Sequence, residues 1–446
     1  MLLRYIVENF KSIGKEIEFT MFPSKDIKDK KFISTLETRN GNWEVLKRAA
    51  FFGPNASGKS NFIKSLAFVK NFILEGQLSE KTIRIEQFKG NSEELDNKSL
   101  FQFMMYIDGE VYEYGFVIDR KQVYEEWLMI LTEDDLKPIF KRETSKDGIT
   151  KIELSECSKR FFNEDENEVA RVLVKGFSEK QKNLLYLSKL NENANDIASK
   201  IIDWFKRIQI IFPTTKVQAL PIRIKQDNLL REFISKKLEI LDTGVTNVTV
   251  SEEKNSLEEI REKLRLPEEI VQDIEDTEHG IVVLNGKYYI FIEENGEKSF
   301  GQLKFEHKLE NKIVDFDIDD ESDGTQRVVD LLPMLFRLEE KKNTMYFIDE
   351  LDRSLHTKIS KYLIQYFLEA NEGFNNQLFF TSHDINLLTL DDLIQDEIWF
   401  IEKNRLGETK LKPFSNFSIE EGQNALKDYL NGRFGAIPVI RSEKIW

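Results

Sequence analysis

The sequence predicts an α/β fold: a mixed sheet with an added antiparallel sheet and a helical insertion. Three observations predict it. Gly53-Pro54-Asn55-Ala56-Ser57-Gly58-Lys59-Ser60 stands between the apolar run Ala49-Ala50-Phe51-Phe52 and a helical pattern opening at Asn61-Phe62-Ile63, which is the order strand, glycine loop, helix. Far downstream, Thr344-Met345-Tyr346-Phe347-Ile348 is a second apolar run, and it ends in Asp349-Glu350. Between the two, alternation at Phe101, Phe103 and Met105 leads through Asp108-Gly109 into Val111 to Ile118, a strong hairpin signal.

Taken from the N-terminus, residues 2–7 read as a first strand and residues 17–21 as a second that returns beside it, with Asn9-Phe10-Lys11-Ser12 in the turn. Residues 23–42 are polar and lysine-rich and read as a loop; residues 43–52 lead into the glycine loop. That loop fits the pattern G-x-x-x-x-G-K-[ST]. Its glycines let backbone N–H groups turn inward around an anion, and the helix behind it points its positive end at the same place. In such a loop Lys59 reaches the β- and γ-phosphates and the Ser60 hydroxyl serves Mg²⁺. Apolar residues at 62, 63, 66, 69 and 73 carry the helix to Leu74. A strand over 123–131 follows the Asp-Gly hairpin, so antiparallel pairing after the loop helix points away from a simple doubly wound sheet.

The stretch 154–207 reads as mostly helical, with apolar positions at Val169, Val172, Leu173, Leu184, Leu185, Leu187 and Leu190. Pro213 and Pro221 bracket a break, after which 228–241 and 257–274 read as two more helices. Neither sustains heptads, so no long coiled-coil arm is expected. Residues 281–284 and 288–292 flank Asn285-Gly286 as a second hairpin. Lys59 and Asp349 are 290 residues apart, far more than a compact nucleotide core needs, so something large is inserted. The expected organisation is an N-terminal lobe over 1–140, a mainly helical insertion with a β-hairpin over 141–310, and a C-terminal lobe over 311–446.

The C-terminal lobe carries the other half of the chemistry. Glu321-Ser322-Asp323-Gly324-Thr325-Gln326-Arg327 opens a helical pattern, a second helix start suited to an anion, with a kink or restart expected at Pro333. At the end of the apolar run, Asp349 suits Mg²⁺ and Glu350 can orient or deprotonate an attacking water. Leu378-Phe379-Phe380-Thr381 is a further strand ending at Ser382-His383-Asp384. There His383 can contact a γ-phosphate, or Asp384 can cap a turn with His383 incidental. A last hairpin is expected around 405–407, and a helix over 419–430 ending at Gly432.

Composition bounds the function. With 40% hydrophobic and 32% charged residues over 446 positions, the chain has material for more than one core. No run of 18 apolar residues and no basic-then-apolar leader is present, so neither a membrane span nor a secretory signal is expected. One cysteine, Cys157, and histidines at 279, 307, 356 and 383 argue against an intramolecular disulfide and a Cys/His metal cluster, and for a reducing cytoplasm. A net charge of −15 argues against non-specific nucleic-acid binding, although a local basic groove stays open.

The order GPNASGKS, SDGTQ, YFIDELD, FFTSH resembles the ABC-type ATPase heads of SMC and RecF-like proteins. The resemblance implies a P-loop NTPase of the ABC/SMC-head type that binds ATP with Mg²⁺ at residues 53–61, including Asn61. It implies homodimers or higher homo-oligomers through ATP-sandwiched heads. Ser322, Asp323, Gly324 and Thr325 would then meet the nucleotide in trans. Asp349 would serve Mg²⁺, Glu350 would be the catalytic base, Asp352 would communicate across the dimer, and His383 would be the switch. The signature departs from LSGGQ at Glu321, Asp323 and Thr325, and Gln87 is the one candidate for a metal-sensing glutamine. The opening residues 7–13, the SDGTQR stretch and the tail Tyr429-Leu430-Asn431-Gly432-Arg433-Phe434-Gly435-Ala436-Ile437-Pro438 look like the RloA- and AbiL-type AAA-family proteins of bacterial abortive-infection systems. That likeness implies a slow ATPase that senses infection and regulates a separate toxin or nuclease-like effector. Two other readings are a RecF-like repair ATPase holding DNA across the dimer and a nucleotide-gated scaffold with little turnover.

Overall fold

The computed structural model describes residues 1–25, 27–75, 82–90, 98–133, 135–156, 158, 161, 182–193, 195–217, 220–253, 257–266, 268–277, 279–284, 287–294, 297–341, 343–389, 393–418 and 425–437. The chain divides into two compact units: Met1–Pro213 with Glu339–Leu351 and Ile364–Trp446, and Thr214–Leu338 with Asp352–Leu363.

The first unit holds two large sheets. A six-stranded sheet runs in the order Ile208–Ile211, Met345–Ile348, Gln377–Ser382, Arg48–Phe52, Ile398–Lys403, Thr409–Pro413. Its first five strands are parallel and the last is antiparallel, so the sheet is mixed. Strands such as Met345–Ile348, Arg48–Phe52 and Gln377–Ser382 are buried at every position, as parallel strands covered on both faces must be. Arg48, at the start of the loop strand, forks onto Glu397 at 2.9 and 3.0 Å, and both side chains are wholly buried. The second sheet is antiparallel and seven-stranded, built from Thr150–Leu154, Leu136–Thr144, Val123–Leu131, Glu110–Ile118, Ser99–Ile107, Leu2–Glu8 and Ile17–Thr20 in that order.

The helix Lys59–Leu74 bridges the sheets. It buries Phe62, Ile63, Leu66, Val69, Phe72 and Ile73. Phe62 meets Phe51 of the parallel sheet at 5.0 Å and Tyr5 of the antiparallel sheet at 5.7 Å, and the Tyr5 hydroxyl donates to Ser65 at 2.8 Å. Each fully buried Phe of this kind contributes roughly 1.5–3 kcal/mol, so the aromatic seam fixes the glycine loop against both sheets. At the far side of the antiparallel sheet, Glu126 accepts from Tyr114 Oη and from the N–H groups of Tyr186 and Leu187, beside Arg142. Burial pushes the Glu126 carboxyl up, and the Arg142 charge opposes that shift.

The outcome is the expected class: an α/β fold with a mixed sheet and an added antiparallel sheet. The domain bounds differ. Residues 136–154 extend the N-terminal antiparallel sheet and residues 208–211 join the parallel one, so the segment after 141 is divided between structures instead of forming one insertion. The loop expected over 23–42 contains the strand Ile33–Thr38 paired to Gly41–Leu46. Within 154–207 the described helices are Tyr186–Glu192 and Asp196–Lys206, while Cys157, Val169, Val172 and Leu173 lie outside the described residues.

The second unit is not mainly helical. Beside the helices Leu220–Gln226, Asn228–Ile240, Leu257–Leu264, Glu268–Glu275 and Asp323–Leu335, it carries a five-stranded antiparallel sheet. The long strand Glu297–Leu309 pairs with Val245–Glu253, Lys287–Glu294 and Lys312–Asp317. The expected hairpin is present, Leu284 standing opposite Lys287, with Asn285-Gly286 themselves outside the described residues. The helix expected over 257–274 is two helices, separated where the sequence has Pro267. The helix does not restart at Pro333: it runs through the proline for two residues more and ends as Phe336 turns to extended backbone.

Candidate functional site

Four parallel strands deliver their C-terminal ends to one edge of the mixed sheet. Asp349-Glu350 follows Met345–Ile348, His383 follows Gln377–Ser382, Gly53 follows Arg48–Phe52, and Lys403 ends Ile398–Lys403. In open α/β sheets ligands bind at that edge. The His383 strand lies between the acid strand and the loop strand, so it is the spacer that separates Lys59 from the two acids.

The loop is shaped by close approach. A Cβ on Gly53 would stand 2.0 Å from the Ile401 carbonyl oxygen, and one on Gly58 would stand 2.0 Å from Thr409 Oγ1. Gly58 also has φ +114°, a conformation that L side chains rarely adopt. Three side chains outside the motif brace it. Thr409 Oγ1 donates to the Ser57 carbonyl at 3.0 Å, which obliges Ser12 Oγ to donate to Thr409 Oγ1 at 2.7 Å and to accept from Asn61 Nδ2 at 2.7 Å. Pro54, Asn55 and Ala56 form the outer lip, with Ala56 at φ +60°.

Lys59 is buried, and its ammonium donates to the carbonyls of Gly53 at 2.6 Å and Pro54 at 3.1 Å. It also lies 3.3 Å from His383 Nδ1. A lysine ammonium only donates, so Nδ1 is the acceptor and the imidazole proton sits on Nε2, which faces Glu350 Oε1 at 3.9 Å. His383 therefore spans the interval between Lys59 and Glu350. Asp384 caps the short helix Ile385–Leu387, its carboxylate accepting from the Asn386 N–H.

The acid pair is held by Thr381. Its hydroxyl donates to Asp349 Oδ1 at 2.8 Å and accepts from the Glu350 N–H at 2.8 Å. Asp349 is buried, whereas Glu350 and His383 are about one-third exposed and Glu350 sits at φ +50°.

Phosphates fit this arrangement. The Ser57 hydroxyl is buried with no hydrogen-bond partner among the described residues, and the helix Lys59–Leu74 starts with no side-chain cap on its N–H groups. A cradle only glycine can form, an unpartnered hydroxyl, a buried ammonium and an open helix start make a donor set for an anion. Among the described residues no cluster of three or more His, Cys, Asp or Glu could hold a metal by itself. Ser60 and Asp349 supply the hard oxygen donors that suit Mg²⁺ shared with a phosphate.

A cavity of about 1070 Å³ opens on the lip, lined by Gly53, Pro54, Asn55, Ala56 and Ser57 together with His383 and the C-terminal segment Tyr429–Ile437. The helix before that segment spans Ala425–Leu430, and residues 419–424 and Pro438 lie outside the described residues.

Ser322, Asp323, Gly324, Thr325 and Asp352 belong to the other compact unit. Ser322 is the N-cap of Asp323–Leu335, its hydroxyl accepting from Thr325 N–H at 3.1 Å. A Cβ on Gly324 would come 2.8 Å from the Ser354 carbonyl oxygen, so this helix start abuts the turn in which Leu355 N–H bonds Asp352 at 3.0 Å. Glu321, where the signature departs from leucine, bonds His307 Nε2 at 2.6 Å. Gln87 lies between Glu86 and Phe88, which bond Lys11 and Asn9 of the first turn.

Sequence reasoning missed Thr381, Thr409, Lys403 and the lining role of the tail. Thr381 was readable as the hydroxyl ending an apolar strand. Thr409 was not, because its partners Ser12 and Ser57 are separated from it by more than 350 residues.

The family described as "AAA domain, putative AbiEii toxin, Type IV TA system" matches residues 48–389. Among curated proteins none matches the chain. Solved structures are similar to it, two of them SMC heads. The SMC head domain from Thermotoga maritima shares 13% identity and covers 94% of this chain and 99% of its own, with a TM-score of 0.39. An SmcHead bound to the C-winged helix domain of ScpA shares 14% identity and covers 92% and 96%, with a TM-score of 0.40. No described helix is long and apolar enough to cross a membrane.

Proposed function

The chain belongs to the AAA-domain family that matches it over residues 48–389, and from that premise we propose that it binds ATP with Mg²⁺ and hydrolyses it slowly to ADP and phosphate. The observation that carries this reading is the line Lys59, His383, Glu350 at 3.3 and 3.9 Å, set on the C-terminal edge of parallel strands. Lys59 and the loop N–H groups bind and orient the β- and γ-phosphates. Glu350 orients the water for in-line attack on the γ-phosphorus and accepts its proton, while His383 donates from Nε2 toward the terminal phosphate. Ser60 and Asp349 hold Mg²⁺, which when bound neutralises charge on the phosphate oxygens. Phosphoryl transfer asks mainly for positioning and charge compensation, and rigid strand ends supply both.

On this reading ATP joins two copies, with Ser322, Asp323, Gly324 and Thr325 of one closing over the loop of the other and Asp352 carrying the signal between them. The coupled output is control of a separate toxin or nuclease-like effector in defence against phage, in the manner of RloA- and AbiL-type proteins. The family description, which names a putative AbiEii toxin and a Type IV TA system, supports that setting. A net charge of −15 weighs against the DNA-holding alternative.

The test is steady-state turnover of wild type against Glu350→Gln. Loss of the base lowers kcat by about 10²–10⁴-fold and leaves ATP binding within a few-fold. If both proteins are equally slow yet still assemble with ATP, the chain is a nucleotide-gated scaffold and Glu350 is no base.

A further inference from the structure

The cavity on the loop has a second wall that the phosphate-loop chemistry does not use. Lys403 ends its strand on the edge that carries Gly53 and His383, stands opposite Thr409 in the sheet, and lines the cavity. It is exposed, and its ammonium makes no ion pair among the described residues. The neighbouring Glu402 is occupied. One carboxylate oxygen accepts from the Ala436 N–H at 3.1 Å and the other from Lys412.

Around Glu402 folds the C-terminal segment. Tyr429 and Phe434 stack on Phe400 at 5.4 and 5.8 Å, and Phe434 also meets Phe414 at 4.8 Å, so the segment is packed and not merely adjacent. The Tyr429 hydroxyl donates to the Ala436 carbonyl at 2.6 Å. Burial pushes that phenol up to about 12, which keeps it a donor at any working pH. Gly435, at φ +71°, leaves only 2.5 Å between a would-be Cβ and Glu402 Oε2, so a glycine is what lets the chain lie against the carboxylate.

The cavity's position sets which part of a nucleotide it would meet. It takes in the first half of the loop and His383, and does not take in Ser60 or Asn61 at the helix start. The lysine of such a loop reaches the β- and γ-phosphates, and here its ammonium points to His383. The tail wall therefore faces the terminal-phosphate end. Resting on the reading of the loop as a nucleotide site, we infer that Lys403 and the segment Tyr429–Ile437 form a further wall of that site, which recognises the terminal phosphate and makes the protein discriminate a nucleoside triphosphate from a diphosphate. Lys403 supplies the cation, and the packed tail excludes bulk water from one side so that the charge counts for more.

The experiment is titration calorimetry on the full chain, at fixed salt and Mg²⁺, with ADP and with the non-hydrolysable β,γ-imido analogue of ATP. Lys403→Gln, at an exposed position, weakens the triphosphate analogue about tenfold and changes ADP by less than about twofold, and Lys403→Arg recovers most of the loss. Gly435→Val, which forces the tail off Glu402, shifts the ratio in the same direction. A triphosphate-to-diphosphate ratio unchanged in either Lys403→Gln or Gly435→Val overturns the inference, as does an equal loss of both ligands. Lys59→Ala separates this from the parent reading: it weakens both ligands if the loop holds phosphates, and wild-type binding of both by that variant sinks the loop assignment whatever Lys403 does.

Discussion

Thr381 is the residue on which the acid pair depends, because one hydroxyl fixes both members. Its proton is committed to Asp349 and its lone pair to the Glu350 N–H, so the carboxylate orientation and the chain direction after the strand are set together. Thr381→Val keeps the shape and removes both bonds of a wholly buried hydroxyl. We expect a loss of about 1.5–3 kcal/mol in stability by denaturant melts, and a fall in kcat of roughly 10–100-fold with ATP affinity little changed. Equal turnover in Thr381→Val and wild type would show that the acids are positioned by something else. Glu350 itself sits at φ +50°, where a Cβ is strained. Glu350→Gly is therefore expected to melt higher than Glu350→Ala by roughly 1 kcal/mol, although neither turns over ATP. Identical stabilities for the pair would mean that the turn relaxes.

At the scale of elements, the glycine loop is held from outside its own motif. Gly58 lies against Thr409, and Thr409 ties the loop to the first turn through Ser12. Gly58→Ala must place a methyl 2.0 Å from Thr409 Oγ1 at φ +114°. It is expected to destabilise by at least about 2 kcal/mol and to abolish nucleotide binding, read by thermal melts with and without ATP. Persistence of the ATP-induced shift in that variant would refute the close fit. The loop, the acid strand and the His383 strand were legible in the sequence because each is a local pattern: an apolar run, then residues only a strand end can present. The second unit's sheet was less legible. Val245-Thr246-Asn247-Val248-Thr249-Val250 alternates like a strand, yet it follows a strong helix and its partner, Glu297–Leu309, is about fifty residues on. Five of the thirteen residues of Glu297–Leu309 are moreover charged, and its length is divided among three partners, so its pattern follows none of them alone. Braces such as Thr409, and the tail against Glu402, depend on contacts over tens to hundreds of residues and leave no local mark.

For the whole molecule, the two halves of the proposed chemistry fall in different compact units, Lys59, Glu350 and His383 in one and Ser322 and Gly324 in the other. If a site is completed by a second copy, each dimer holds two sites, and each site takes its loop from one chain and its signature from the other. Mixing variants makes this a counting experiment. Lys59→Ala lacks a working loop and Ser322→Arg blocks the signature, so each alone is expected to lack ATPase activity. In a random mixture about half the dimers are mixed, and in each of these one of the two sites joins an intact loop to an intact signature. An equimolar mixture is therefore expected to regain about a quarter of wild-type turnover. The recovery must rise with the concentration of the partner variant and saturate, because it depends on forming mixed pairs. A loop and signature that worked within one chain would give two inactive proteins and an inactive mixture, so the absence of any recovery, with both variants folded by melting, would remove the trans arrangement while leaving the loop chemistry intact.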